Sequence, residues 1–178
     1  MILTIDVEVD WDSTSKKTDS LQHLPAIFDM LKETKSSATL FVVANVAKEL
    51  KKLKVPKNIE IASHSISHQF LNQSTPEQRK AELVKSKKVL EKTFKTEVLG
   101  FRAPGFLTYE TMWQDLWDAG YFYSSSLVSG IFPGRYCQFF KGPFFRNKIL
   151  ELPLQHFRLI PVAFGLPSTV SCIRFQKS

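Results

Sequence analysis

The chain reads as an α/β protein built on a parallel sheet, and three observations carry that expectation. Strand-like runs alternate with helix-like segments at least four times along the 178 residues, the pattern of successive βα units. One run, ATLFVV (38–43), is apolar without interruption, as suits a strand covered on both faces. The longest helical segment, STPEQRKAELVKSKKVLEKTF (74–94), carries its own start signal. There Thr75 is the N-cap, Pro76 fits the first helical position and Gln78 completes a capping box.

The elements follow in order. ILTIDVEV (2–9) alternates and is β-branched, hence a strand. LQHLPAIFDMLKE (21–33) places Leu24, Ile27, Phe28 and Leu31 at helical spacing. After the 38–43 strand, NVAKELKKL (45–53) is helical and IEIAS (59–63) strand-like. VLGFRA (98–103) follows the long helix as a strand, and TYETMWQDLWDAG (108–120) is a helix stopped by Gly120. YFYSSS (121–126) and KILELPL (148–154) are strands, with a Gly-, Pro- and aromatic-bearing loop over 129–147 between them. Residues 155–178 show no clear period. Neither a repeat nor a linker divides the chain, so a single domain over 1–178 is expected. A full (β/α)8 barrel takes about 250 residues. The expectation is therefore an open sheet, a reduced barrel, or a barrel lacking its last units.

Composition narrows the class. Hydrophobic residues make up 43% and charged residues 23%, which is ordinary for a soluble globular chain. The net charge of +7 comes largely from lysines clustered at 48–57 and 80–95. Such runs are usually solvated helix faces, and the alternative is attraction to an anionic polymer. No zinc-finger spacing or aromatic-interleaved basic motif points to nucleic acid, so no nucleic-acid partner is expected. Cys137 and Cys172 are too few and too distant for a disulfide framework. MILTIDVEVD lacks the layout of a signal peptide, and no apolar run is long enough to span a bilayer, so the cytoplasm is the default compartment.

Chemistry in parallel α/β folds collects at the C-terminal ends of the strands. The first strand ends TIDVEVDW, and alternation puts Asp6, Glu8 and Asp10 on one face. Three acids on one face repel, and water, a cation or a proton must offset that. A wet edge strand and a partly buried site acid both fit. His64 and His68 follow the third strand, four residues apart. On a helical turn that spacing brings both rings to one metal ion, but two polar residues opening a surface helix share it. Two histidines plus a carboxylate form a known zinc ligand set with an open position, and the first strand can supply the carboxylate. Arg102 lies among apolar neighbours in FRAPGF, with a turn forced by Pro104-Gly105. A buried arginine needs a carboxylate partner, whereas a surface loop arginine does not. Taken together, the strand ends describe an active site.

These residues resemble the motifs of the polysaccharide deacetylase (NodB homology) family, carbohydrate esterase family 4. TIDVE resembles its first motif in an Asp-x-Glu form, HSISH its His-Ser/Thr-x-x-His motif, and FRAPGF its Arg-x-Pro motif. AGYFYSSS (119–126) resembles the stretch Gly-Tyr-x-x-Asp-Ser-Ser. The resemblance covers about residues 1–155 and implies a distorted (β/α)7 barrel, incomplete at its C-terminal end in this chain. It further implies hydrolysis of N-acetyl groups on amino sugars of a glycan, with a divalent metal, usually zinc. By position it implies Asp6 as general base, and Glu8, His64 and His68 as metal ligands. It also implies Arg102 as the partner that holds Asp6, and the Gly105 N–H as facing the oxyanion.

The chain departs from the pattern at three points. Glu8 stands where many members carry Asp, which makes Asp10 a second candidate ligand. Ser124 stands where the fourth motif has Asp, so the charge network behind Arg102 is expected to be weaker. The family's Leu-His motif, whose histidine protonates the leaving amine, has no match in 155–178. LQH at His156 is at best a displaced version, and His23, in a helix, reads as structural. The simplest account is a barrel lacking its last strands. Alternative functions are a deacetylase-like protein that binds carbohydrate without turnover, and a metal-independent amidohydrolase acting on a small ureide.

Overall fold

The computed structural model describes residues 3–9, 19–130, 142–157 and 172–173, with the backbone alone at 155–157 and 172–173. Strand β1 (Leu3–Val7) pairs in parallel with β2 (Ala38–Val42), which pairs with β3 (Ile59–Ser63). The order continues through β4 (Gly100–Phe101) and β5 (Tyr123–Ser124), both parallel. The short β6 (Val128–Gly130) leaves this sheet, and β7 (Phe144–Arg146) turns back against β8 (Ile149–Glu151), which pairs with β5. The main sheet thus runs β1-β2-β3-β4-β5-β8-β7. A smaller sheet joins β6 to β9 (Leu154–Phe157) and to β10 (Cys172–Ile173). Among the described residues no strand pairing closes the main sheet, so the expected barrel is open there, with β1 at one edge. The expected 129–147 loop falls partly in β6 and β7, and its residues 131–141 lie outside the described part.

Helices α1 (Leu24–Glu33), α2 (Ala47–Lys52), α3 (Pro76–Phe94) and α4 (Met112–Asp118) connect the strands. β2 is buried along its whole length, as its unbroken apolar run requires. The capping box of α3 forms as read: Thr75 Oγ1 accepts from the Gln78 N–H, and Gln78 Oε1 accepts from the Thr75 N–H at 2.9 Å. Leu40, Leu50, Leu83, Leu90, Phe101 and Leu116 sit in one apolar core between sheet and helices. The lysines of α2 and α3 are mostly solvated, except Lys87, which pairs with Glu91 at 3.0 Å and donates to the Val98 carbonyl. No helix among the described residues is long and apolar enough to cross a membrane.

Register explains how this fold builds a site. One row of paired positions crosses the sheet: Val7, Val42, Ser63, Phe101, Ser124 and Glu151. This row faces the helices, because Ser63 Oγ meets Ser86 of α3 at 2.6 Å and Glu151 meets Trp113 of α4 at 3.1 Å. Side chains alternate along a strand, so the next residues, Glu8, His64, Arg102 and Ser125, emerge on the opposite face.

Candidate functional site

The site is assembled from that next row together with Asp6. His64 follows β3 directly and is buried. Its Nδ1 lies 2.9 Å from the Arg102 carbonyl, which only accepts, so Nδ1 carries the proton and the Nε2 lone pair points away from the sheet. Burial, the largest influence, pulls the His64 pKa below its usual value and favours the neutral ring a metal ligand needs.

His68 reaches the same point by a route the sequence reading did not anticipate. Residues 64–70 form a loop, not the helical turn expected from the spacing. Ser65 and His68 adopt left-handed backbones, φ 68° and 63°, which no helix accommodates. Ser65 Oγ accepts the His68 N–H at 3.0 Å and holds the bend. The two rings end 5.0 Å apart.

Glu8 completes the cluster from β1. Its Oε2 stands 2.6 Å from His68 Nε2 and 3.7 Å from His64 Nε2. That oxygen is buried between the two histidine rings. Burial raises the Glu8 pKa, but the two histidines outweigh it and the net value lies below the usual carboxylate range. The three ligand atoms lie within 4.8 Å of one another. Tetrahedral bonds of 2.0–2.2 Å put neighbouring ligand atoms about 3.3 Å apart. The observed 2.6 and 3.7 Å bracket that spacing, so the residues fit a divalent cation. Asp10, the second candidate ligand, lies outside the described residues.

Beside the cluster, Arg102 is only 2% exposed. Its Nη1 donates to Asp6 Oδ1 at 2.5 Å, its Nη2 to Thr4 Oγ1 and Ser125 Oγ at 3.0 Å each, and its Nε to the Ser125 carbonyl at 3.1 Å. The guanidinium lies 3.9 Å from the centre of the Phe41 ring. Burial lowers the Arg102 pKa and Asp6 opposes that shift. The surface-loop reading of Arg102 therefore fails, and the expectation of a carboxylate partner from the first strand holds. Gly105 follows with φ +60°, and a Cβ there would stand 3.0 Å from the Phe70 ring. Phe70 in turn meets His68 edge-on at 6.2 Å, so the Gly105 turn borders the cluster.

His156 pairs in register with Ile173 in the smaller sheet, and its side chain lies outside the described part. His23 is exposed at the start of α1 and lines a hollow that Asp6 and Glu8 also line. Glu151 escaped the sequence reading, and Thr4, Ser125 and Ser126 entered it only as members of the TIDVE and AGYFYSSS stretches, although all support Arg102 or its loop. The signal was present for Glu151, a lone acid at a strand's C-terminal end in ILELP.

Fold and site together define a parallel α/β protein with a carboxylate–His–His cradle and a neighbouring Asp–Arg pair at its strand ends. The polysaccharide deacetylase family profile matches residues 4–124, and the chain belongs to that family. A peptidoglycan-N-acetylglucosamine deacetylase of Bacillus cereus is 28% identical over 102 residues, which cover 56% of this chain and 47% of that protein. The chain thus matches about half the length of that relative. A polysaccharide-deacetylase-type protein of Mycobacterium smegmatis shares the fold with a TM-score of 0.70 at 20% identity, over 93% of this chain and 64% of the other. The CE4-family pseudoenzyme BA3943 of Bacillus anthracis also shares it, with a TM-score of 0.54 at 20% identity, over 68% of this chain and 41% of the other.

Proposed function

We propose that the chain is a metal-dependent hydrolase that removes N-acetyl groups from amino sugars of a polysaccharide or glycan precursor, peptidoglycan being the substrate named for a relative. The observation that carries this reading is the Glu8–His64–His68 cluster standing next to an Asp6 already locked by Arg102. A divalent cation, zinc by ligand type, would be held by Glu8, His64 and His68, and would supply Lewis-acid polarisation of the amide carbonyl and easier deprotonation of water.

The remaining work belongs to the chain. Asp6 takes the proton of the attacking water as general base. Arg102 fixes Asp6 through one short charged bond and gives up little freedom doing so, because its other donors are committed to Thr4 and Ser125. The Arg102 carbonyl sets the His64 tautomer, so one residue orients both the base and a ligand. The Gly105 N–H, on a left-handed turn beside Phe70, serves as oxyanion donor.

The test is to purify the protein, measure bound zinc, and assay acetate release from N-acetylglucosamine oligomers with and without added metal. Bound zinc with metal-dependent acetate release is expected. Neither metal nor acetate overturns the reading, and metal without acetate favours carbohydrate binding without turnover.

A further inference from the structure

Glu151 is completely buried at the end of β8 and no cation pairs with it directly among the described residues. Its Oε1 accepts the N–H groups of Ser126 at 2.8 Å and Leu127 at 2.9 Å, and its Oε2 accepts the Trp113 indole N–H at 3.1 Å. Two of these donors belong to the loop after β5, and that loop contacts Arg102, the residue after β4. Ser125 supplies a carbonyl and a hydroxyl to the guanidinium, and Ser126 Oγ accepts the Ala103 N–H at 2.9 Å. A chain of contacts therefore runs from Glu151 on the helix-facing side of the sheet, through residues 125–127, to Arg102 and Asp6 on the other side.

We infer that Glu151 is a positioning residue for Arg102, and that it supplies from β8 the carboxylate that β5 lacks at Ser124. Two observations support the substitution. Ser124 and Glu151 are paired positions in adjacent parallel strands, so their side chains leave the same face side by side. Ser124 spends its own hydroxyl on Ser126 Oγ at 2.9 Å, the loop that Glu151 holds by its backbone. An aspartate at 124 would reach the N–H two residues on, the usual Asx-turn bond, and so do the work of Glu151. With both carboxylates present the like charges would compete for one set of donors. A single carboxylate, on either strand, is what the loop accommodates.

The consequence for turnover rests on the proposed deacetylase reading, while the consequence for Arg102 geometry does not. The experiment compares wild type, Glu151→Gln and the double variant Ser124→Asp/Glu151→Gln. The Arg102 Nε–H resonance is followed by NMR in metal-free protein, at a temperature where circular dichroism shows each variant folded. In wild type this proton, buried against the Ser125 carbonyl, is expected to exchange slowly. In Glu151→Gln it is expected to exchange at least about tenfold faster, because loss of loop restraint frees the donor. The kcat for acetate release is expected to fall about tenfold to a hundredfold, the cost of small misplacement, with KM and zinc affinity within about twofold. The double variant is expected to recover both. Trp113→Phe removes one donor to Glu151 and keeps a ring in place, so it reads the same exchange if Glu151→Gln does not fold. An unchanged Arg102 signal in folded Glu151→Gln or Trp113→Phe, or a double variant no better than Glu151→Gln, overturns the inference. A wild type without turnover sinks the deacetylase reading alone and leaves the NMR comparison decisive.

Discussion

Replacing Arg102 by Met tests the buried pair at the centre of the site. The substitution keeps an unbranched, bulky side chain against Phe41 and removes every donor. Asp6 then loses its charged bond, worth about 1.5–3 kcal/mol, and the buried Ser125 carbonyl loses its bond to the guanidinium, an orphaned acceptor costing about 1–3 kcal/mol. The Ser125 hydroxyl still donates to the Leu152 carbonyl at 2.9 Å, so its loss is small. Against this, the variant no longer buries a guanidinium, which offsets part of the total. Asp6 keeps 27% of its side chain exposed, and water softens its loss. The net expectation is about 3 kcal/mol, the low end for breaking a buried pair. At about 2–4 °C per kcal/mol for a chain of this size, the midpoint falls by about 6–12 °C. Urea unfolding in EDTA, which removes any metal contribution, measures it. The double variant Asp6→Asn/Arg102→Met should regain at least about 1 kcal/mol relative to additivity, since neither charge is then left alone. A single-variant loss under about 1 kcal/mol, or a cycle that is strictly additive, would refute the reasoning.

Five further outcomes are expected. Zinc at a hundredfold excess over its dissociation constant should stabilise the wild type by about 2.7 kcal/mol in a thermal-shift assay, and EDTA should reverse this. His64→Ala and His68→Ala should abolish the shift while Asp6→Ala retains it and loses activity, and equal zinc loss in all three would contradict the assigned roles. Gly100→Ala should destabilise by more than about 2 kcal/mol, because the added Cβ would lie 2.1 Å from Tyr123 Cζ; Tyr123→Ala should relieve most of that clash, which urea midpoints will show. Thr75→Ala should cost about 1 kcal/mol by removing one arm of the α3 capping box, again read in urea. Burial raises the Tyr121 hydroxyl pKa to about 12, above its usual 10. The folded state therefore keeps a proton that the unfolded chain sheds near pH 10, and stability falls as pH climbs from there towards 12. Tyr121→Phe should flatten that fall by up to one proton in alkaline denaturation curves.

Local signals made much of this legible from the sequence. ATLFVV announced a strand covered on both faces, and the Thr75–Gln78 spacing announced the start of α3, because each depends on neighbouring residues alone. The acids, histidines and arginine at three strand ends were legible for the same reason: a polar residue straight after an apolar run is conspicuous. The route to His68 was not. His-x-x-x-His suggests a helical turn, and only the left-handed backbones at Ser65 and His68, non-glycine residues that carry no compositional mark of that geometry, reveal the loop. The support of Arg102 was legible only as the 119–126 stretch, not as contacts. Ser125 and Glu151 lie 23 residues and 49 residues beyond Arg102 in the chain, and only strand register brings them together. Short strands such as β4 and β5 were read too long, since residues flanking a pair can look extended without being laddered.

Register also explains why so compact a part of the chain can hold the whole constellation. Asp6, Glu8, His64, Arg102 and Ser125 all belong to β1, β3, β4 and β5 or to the residue just past them, within the stretch that the family profile matches or next to it. Each strand contributes by reaching the same row and then adding one residue beyond it. A one-residue slip of β4 would turn Arg102 towards the helices and leave Asp6 alone, so the site and the sheet register stabilise each other. The backbone bonds confirm how tightly the rows are tied at that point: the Arg102 N–H donates to the Ser63 carbonyl at 2.9 Å and the His64 N–H to the Val42 carbonyl at 2.9 Å. The strand end that presents the chemistry is therefore also the end where the ladder continues beyond the strands proper, and Glu151, holding the loop after β5 from behind, keeps that extension in place.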